Sequence, residues 1–207
     1  TLLYEDSQNM DLIQIRDFAK LLNQSSKKAY ELLENLLEWA RSQTGKIEFK
    51  PMKLDLKELL SGCTSFLEQP AANKQISLVL DCRESIYVVA DKNMLNLIVR
   101  NLLTNAIKFS YLNSTIKITV YIQDKFCFVS IKDSGIGISD EDLKNLFKID
   151  VKVSRNGTSN EQGSGLGLVL CKEFIEINGG NLLVESQPGK GSEFIFTLPL
   201  YNPLRID

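Results

Sequence analysis

The stretch Asp91–Phe109 constrains this chain most, because it reads as a helix that is apolar on nearly every side. Met94, Leu95, Leu97, Ile98, Val99, Leu102, Leu103, Ala106 and Ile107 leave it no broad face for water, so it must be buried. Against that background Asn101, Asn105 and Lys108 fall at i, i+4 and i+7, placing two amides and an ammonium on one stripe. Asparagine is a poor helix former. Two copies in mid-helix cost stability unless their amides meet a specific partner. The alternative is a stripe that merely faces solvent.

The pattern around this helix predicts what covers it. An extended Ile47-Glu48-Phe49 comes first, then a helix opened by Asp55 and Glu58 in capping-box spacing. Strand-like runs follow at Ile76–Leu80, Tyr87–Ala90, Thr115–Ile122 and Phe126–Lys132, the last two joined by a hairpin turn near Asp124. Leu143 sits in a short helix. A polar loop from about Asp150 to Ser164 leads into a helix ending at Gly179-Gly180, and two strands, Leu182–Ser186 and Glu193–Leu198, complete the chain. The expected fold is a two-layer α/β sandwich with a mixed, largely antiparallel sheet and helices on one face.

A different rhythm precedes it. From about Asn9 to Gln43, Ile15, Phe18, Leu22, Ala29, Leu32, Leu36 and Trp39 recur as in a heptad, giving a long amphipathic helix that stops before Gly45. Its stripe is expected to pack either on its own globular domain or in a helical bundle shared by two chains. The chain thus divides into residues 1–45 and 46–207.

Composition narrows the function classes. A net charge of −2, with 43% hydrophobic and 24% charged residues, gives no electrostatic bias toward nucleic acid or anionic membrane. Four scattered cysteines with no CxxC pair and no histidine read as reduced core thiols rather than a zinc site. No apolar run approaches the roughly 18 residues of a membrane span, and a signal-peptide pattern is lacking. The piece is expected to be soluble and cytosolic. Beginning at Thr1, it reads as an excised fragment whose full-length protein could carry an anchor upstream.

Three glycine-containing segments add chemistry. Asp133-Ser134-Gly135-Ile136-Gly137-Ile138 sets a carboxylate at a strand end beside two glycines, where it can accept from an exocyclic amino group while the backbone approaches a ring. That geometry prefers adenine to guanine, whose carbonyl would face the carboxylate. A common turn is the alternative reading. Gly163-Ser164-Gly165-Leu166-Gly167-Leu168 ends the polar loop at a helix start, where exposed N–H groups and the helix dipole make a phosphate cradle. The loop of about 150–164 is long enough to be a lid, or else a plain linker. Neither GxGxxG nor a P-loop occurs. Gly189-Lys190-Gly191-Ser192 alone reads as a hairpin turn.

Taken together, residues 46–199 closely resemble the catalytic domain of sensor histidine kinases, a branch of the Bergerat-fold ATPases. Asn101-Leu-Leu-Thr-Asn105-Ala-Ile-Lys108-Phe109 resembles the N box, Asp133–Gly137 the first glycine box, Leu146-Phe147 the F box, Gly163–Gly167 the second glycine box and Gly189–Ser192 the third. The resemblance implies ATP and Mg²⁺ as cofactors, with Asn105 as the Mg²⁺ ligand and Asn101 and Lys108 at phosphate or metal shell. It puts Phe109 against adenine, Asp133 on its amino group, and Gly135, Gly137, Gly163, Ser164, Gly165, Leu166, Gly167, Leu168 and Ser192 around the nucleotide. Lys148 stands where many members have a phosphate-binding Arg, with the charge kept and the bidentate fork lost. The helix from about Asn9 to Gln43, with its Leu33–Arg41, resembles the second helix of the dimerisation and phosphotransfer domain, which implies a homodimer and, as partner, a response regulator receiver domain.

One departure is decisive: the chain has no histidine, so the phosphoacceptor is missing. The family's acceptor lies on the first helix, upstream of Thr1, and truncation explains its absence; a natural pseudokinase is the alternative. The expected activity is transfer of the ATP γ-phosphate to that histidine. A hydrolysing ATPase of the same fold is the second reading, but those relatives carry a glutamate at the position of Asn101, and an amide cannot act as that base. A non-catalytic ATP-sensing module is the third.

Overall fold

The computed structural model describes residues 11–20, 22, 23, 26, 48–148, 157–159, 161 and 166–202. They fall in two compact units, Thr1–Ile47 and Glu48–Asp207. In the first, residues 12–20 are helical. Asp11 Oδ1 accepts from the Gln14 amide at 2.8 Å while Gln14 Oε1 accepts from the Asp11 amide at 3.0 Å, a reciprocal cap that starts the helix. Leu12, Ile13, Ile15 and Leu22 are exposed. Ala29, Leu32, Leu36 and Trp39, on which the shared-bundle reading also depends, lie outside the described residues.

The second unit runs β1 (Pro51–Asp55), α1 (Leu56–Asn73), β2 (Ser77–Asp81), β3 (Tyr87–Asp91), α2 (Lys92–Phe109), β4 (Thr115–Gln123), β5 (Phe126–Lys132), α3 (Asp140–Asn145), α4 (Gly167–Ile177), β6 (Leu182–Gln187) and β7 (Gly191–Pro199). Five strands form one sheet in the order β2-β4-β5-β7-β6, and β1 pairs with β3 in a separate ribbon. Among the described strands only β2 and β4 are parallel; every other pairing is antiparallel. The mixed, largely antiparallel sandwich is therefore present. Two details differ from the sequence reading. Among the described residues the first strand starts at Pro51, with Glu48 and Phe49 outside it, and proline is tolerated at a strand's first residue because its missing N–H breaks no ladder there. The neighbouring strands β2 and β3 also belong to different sheets.

Local signals set the boundaries. Asp55 caps α1 by accepting from the Glu58 amide at 3.2 Å, and Asp91 caps α2 by accepting from the Asn93 and Met94 amides at 2.9 and 3.1 Å. Asp124 turns β4 into β5 with φ of 55°, a conformation Asp tolerates. Gly179, with φ of 73°, lets the chain leave α4.

Helix α2 packs between α1 and α4 and over β5. Of its ten apolar residues eight are buried, and Leu97 and Phe109 are half-buried. From α1, Leu56, Leu60, Cys63, Leu67 and Ala71 recur at helical spacing as its buried face. Ile116, Ile118, Val129, Ile131, Phe196 and Leu198 come from alternate positions of β4, β5 and β7 and are buried. Asn178 binds the end of α4 to the start of α2: its Oδ1 accepts from the Asp91 amide at 2.8 Å and its Nδ2 donates to Phe174 O at 2.7 Å. All four cysteines are free and buried, and burial pushes the Cys127 thiol up to about 12. They are core groups, as expected.

Candidate nucleotide site

The site is built where three backbone turns meet. After β5 the chain bends through Asp133–Ile138 and is gripped on both sides. Asp133 N donates to Ser192 O at 2.8 Å, Ile136 N to Phe109 O at 3.1 Å, and Gly189 N to Ile136 O at 2.7 Å. Ile138 N adds a bond to Ser186 Oγ at 2.8 Å. The segment is thereby fixed between the end of α2 and the β6–β7 turn.

The glycines make this possible for a reason the sequence reading did not supply. A Cβ on Gly135 would lie 2.1 Å from Phe109 O, and one on Gly137, whose φ is 67°, would lie 1.9 Å from Gln187 O. Gly191, with φ of 92°, would bring a Cβ within 2.1 Å of Asp133 O. The space kept clear is occupied by neighbouring backbone, so the first and third glycine segments interlock. The β6–β7 turn is thus more than a hairpin.

Beside this junction opens a cleft of about 600 Å³, its open mouth included. Asn105, Phe109, Asp133, Gly137, Leu168 and Ser192, all named from the sequence, line it together with Ile136, Ile138, Asp142, Leu146 and Phe194. Ile136, Ile138 and Leu146 lie inside motifs that sequence reading had singled out. Asp142 and Phe194 carry no such local signal. Asp142 is set by Ser139, which caps α3 and donates to its Oδ2 at 2.9 Å.

Asp133 is 4% exposed, and its Oδ1 accepts from Gly135 N at 2.9 Å. Burial pushes its carboxyl up to about 6, against the backbone amides of Gly135 and Ser192, which pull it down. A buried carboxylate gains from a ligand that donates to it.

The polar stripe of α2 is half-buried along its length. Asn105 faces the cleft. Asn101 abuts the first residue of α4, since a Cβ on Gly167 would lie 2.7 Å from Asn101 Oδ1. The Lys108 ammonium lies 4.6 Å from the centroid of the Phe109 ring. Asn101, Lys108, Gly135, Lys148, Leu166 and Gly167 are not among the lining residues. Lys148 is exposed and its ammonium donates to Asn145 Oδ1 at 3.0 Å. Gly163, Ser164 and Gly165 lie outside the described residues, as does most of the expected lid. Leu166 is the N-cap residue of α4, and its own side chain makes no cap hydrogen bond.

Among the described residues no cluster of three or more His, Cys, Asp or Glu could hold a metal. Asn105, which lines the cleft, offers an amide oxygen as one donor. One protein oxygen suits Mg²⁺, which keeps most of its shell as water and substrate phosphate, so the residues fit the metal as a companion of a polyphosphate.

Comparison with known proteins agrees with this geometry. Residues 90–202 match the sequence profile of the histidine kinase-, DNA gyrase B- and HSP90-like ATPases. Sensor histidine kinase RcsC of Salmonella typhimurium is 27% identical over 210 residues, covering 97% of this chain and 22% of RcsC. Sensor histidine kinase GacS of Pseudomonas protegens is 31% identical over 191 residues, covering 89% of this chain and 21% of GacS. This chain therefore spans about a fifth of the curated relatives it matches. Among solved structures, the nucleotide-free catalytic domain of histidine kinase ThkA is 28% identical with a TM-score of 0.64, covering 74% of this chain and 96% of that one. ThkA in complex with response regulator protein TrrA gives a TM-score of 0.74 at 21% identity, covering 99% and 57% of the two chains. This chain belongs to the histidine kinase-, DNA gyrase B- and HSP90-like ATPases, within their sensor histidine kinase branch.

Proposed function

We propose that this chain binds Mg²⁺–ATP in the Asp133 cleft and passes the γ-phosphate to a histidine on a helical bundle, from which a response regulator receiver domain takes it. The buried Asp133 carboxylate, 4% exposed among apolar walls, carries the reading. Adenine offers it an amino donor and lays a flat face on Phe109 and the isoleucines; guanine would oppose it with a carbonyl. Asn105 supplies an amide oxygen on the phosphate side, where Mg²⁺, when bound, neutralises charge on the polyphosphate. Lys108 adds a cation on the same stripe, and the first turn of α4 adds N–H groups.

Asn101 favours transfer over hydrolysis. Its amide cannot deprotonate water, so the nucleophile has to come from elsewhere, and an imidazole on the bundle fits that need. The solved complex of ThkA with TrrA supports a response regulator as the partner downstream. We take the region as the cytoplasmic portion of its protein; among the described residues no helix is long and apolar enough to cross a membrane. A homodimer through the N-terminal helices is the assembly we propose, supported by the exposed Leu12, Ile13, Ile15 and Leu22.

Calorimetric titration tests the site. Mg²⁺–ATP should bind, and Mg²⁺–GTP at least about tenfold more weakly, because a mismatched acceptor pair leaves a buried group unpaired. Equal affinities would overturn the role of Asp133, and no ATP binding would overturn the function.

A further inference from the structure

The C-terminal turn of α2 is secured by groups that none of the nucleotide motifs contains. The last carbonyls of a helix have no partner inside it. Here the Lys74 ammonium, from the C-cap of α1, donates to Ile107 O and Lys108 O, both at 2.9 Å. The same ammonium lies 2.7 Å from Thr158 Oγ1 and 2.9 Å from Glu161 Oε1. Thr158 in turn reaches Ser110 O with its hydroxyl at 2.7 Å and Lys108 O with its amide at 3.1 Å. Glu161 closes the loop on itself: its Oε2 accepts from Ser159 N at 2.9 Å and its carbonyl from Gly157 N at 2.8 Å. A Cβ on Gly157 would lie 2.8 Å from Lys108 O, so the loop rests directly on the helix end.

The energetics mark this as a specific junction. The Lys74 side chain is only 10% exposed, and burying an ammonium is costly unless it is paired and fully hydrogen-bonded. Lys74 meets both conditions at the negative end of a helix. The turn it holds carries Lys108 and Phe109, and the loop it holds leads to α4.

We infer that Lys74, Thr158 and Glu161 form an anchor that fastens Gly157–Ser159 and Glu161 to the C-terminal turn of α2, making Lys74 and Glu161 positioning residues for the nucleotide site. The positioning role rests on the cleft being an ATP site; the anchor does not. Glu161 is 35% exposed and can be changed without opening the core. Glu161→Gln is the first variant, Lys74→Met the second, and the double variant the third.

The test combines amide hydrogen exchange at Gly157, Thr158 and Ser159, Mg²⁺–ATP titration and thermal melting on the full chain. Glu161→Gln should speed exchange at those amides about tenfold and weaken ATP binding several-fold, with the melting temperature nearly unchanged. Glu161→Asp should recover part of both losses. The double variant should be little worse than Lys74→Met, because each partner acts through the other. Unchanged exchange in Glu161→Gln would overturn the anchor, and faster exchange with unchanged ATP affinity would overturn its positioning role. A wild-type protein that binds no ATP would refute the functional reading and with it the positioning role, leaving the exchange data to decide the anchor.

Discussion

Replacing Asp133 with Asn is expected to stabilise the free protein while weakening its nucleotide site. Burial lifts the Asp133 carboxyl from an ordinary 3.8 to about 6. At 1.36 kcal/mol for each tenfold change in proton affinity, holding that carboxylate ionised at neutral pH costs the native state about 3 kcal/mol. The native group binds its proton more tightly than the unfolded one. Its favourable contribution is therefore complete below pH 3.8 and is lost as the pH rises through about 6. Asparagine keeps the shape and the acceptor for Gly135 N but removes the charge. Its amide N–H groups need partners of their own, which reduces the net gain to about 1–2 kcal/mol. A domain of this size shifts by about 2–4 °C per kcal/mol, so the melting temperature should rise by about 2–8 °C at pH 8 and by less at pH 5. Thermal unfolding at both pH values without nucleotide measures this, and calorimetry with Mg²⁺–ATP measures the opposite effect on binding. Wild-type affinity should fall as the pH drops below about 6, and the variant should bind weakly throughout. A variant less stable than wild type at pH 8, or a gap of equal size at both pH values, would refute the reasoning.

Two further substitutions test the site's scaffold and its metal. Gly137→Ala forces an alanine to a φ of 67° with its Cβ 1.9 Å from Gln187 O, and should cost about 3 kcal/mol or more, read as a lower melting temperature. Asn105→Ala should reduce phosphotransfer to an added histidine-bearing bundle more severely than it reduces ATP affinity, because the metal's largest contribution comes as charge moves in the transition state; equal losses in both assays would count against Asn105 as the metal ligand.

Features encoded locally were legible in the sequence. Asp55, Asp91 and Asp124 each act on backbone within three residues, and their helix starts and hairpin fall where expected. The apolarity of α2 required burial, and two helices with strands of both sheets supply it. Pairing between strands was less legible, because alternation tells which face is buried and not which strand lies alongside. That is why β2 and β3 separate into different sheets although the chain joins them closely. The motifs gave the cleft its acid and its amide, while Lys148, whose ammonium donates to Asn145 Oδ1, is not among the residues that line it. Lys74 was invisible for a physical reason: its partners lie 33, 34, 84 and 87 residues away, and no local pattern encodes such contacts.

The central claim is tested most directly by incubating the chain with radiolabelled ATP, Mg²⁺ and a folded histidine-bearing helical bundle. The chain itself contains no histidine, so it should acquire no phosphohistidine alone, whereas the bundle should gain a phosphate that is labile in acid and stable in alkali. An unlabelled bundle, with nucleotide bound and the bundle folded, would contradict the account, and free phosphate released in its place would point to an ATPase.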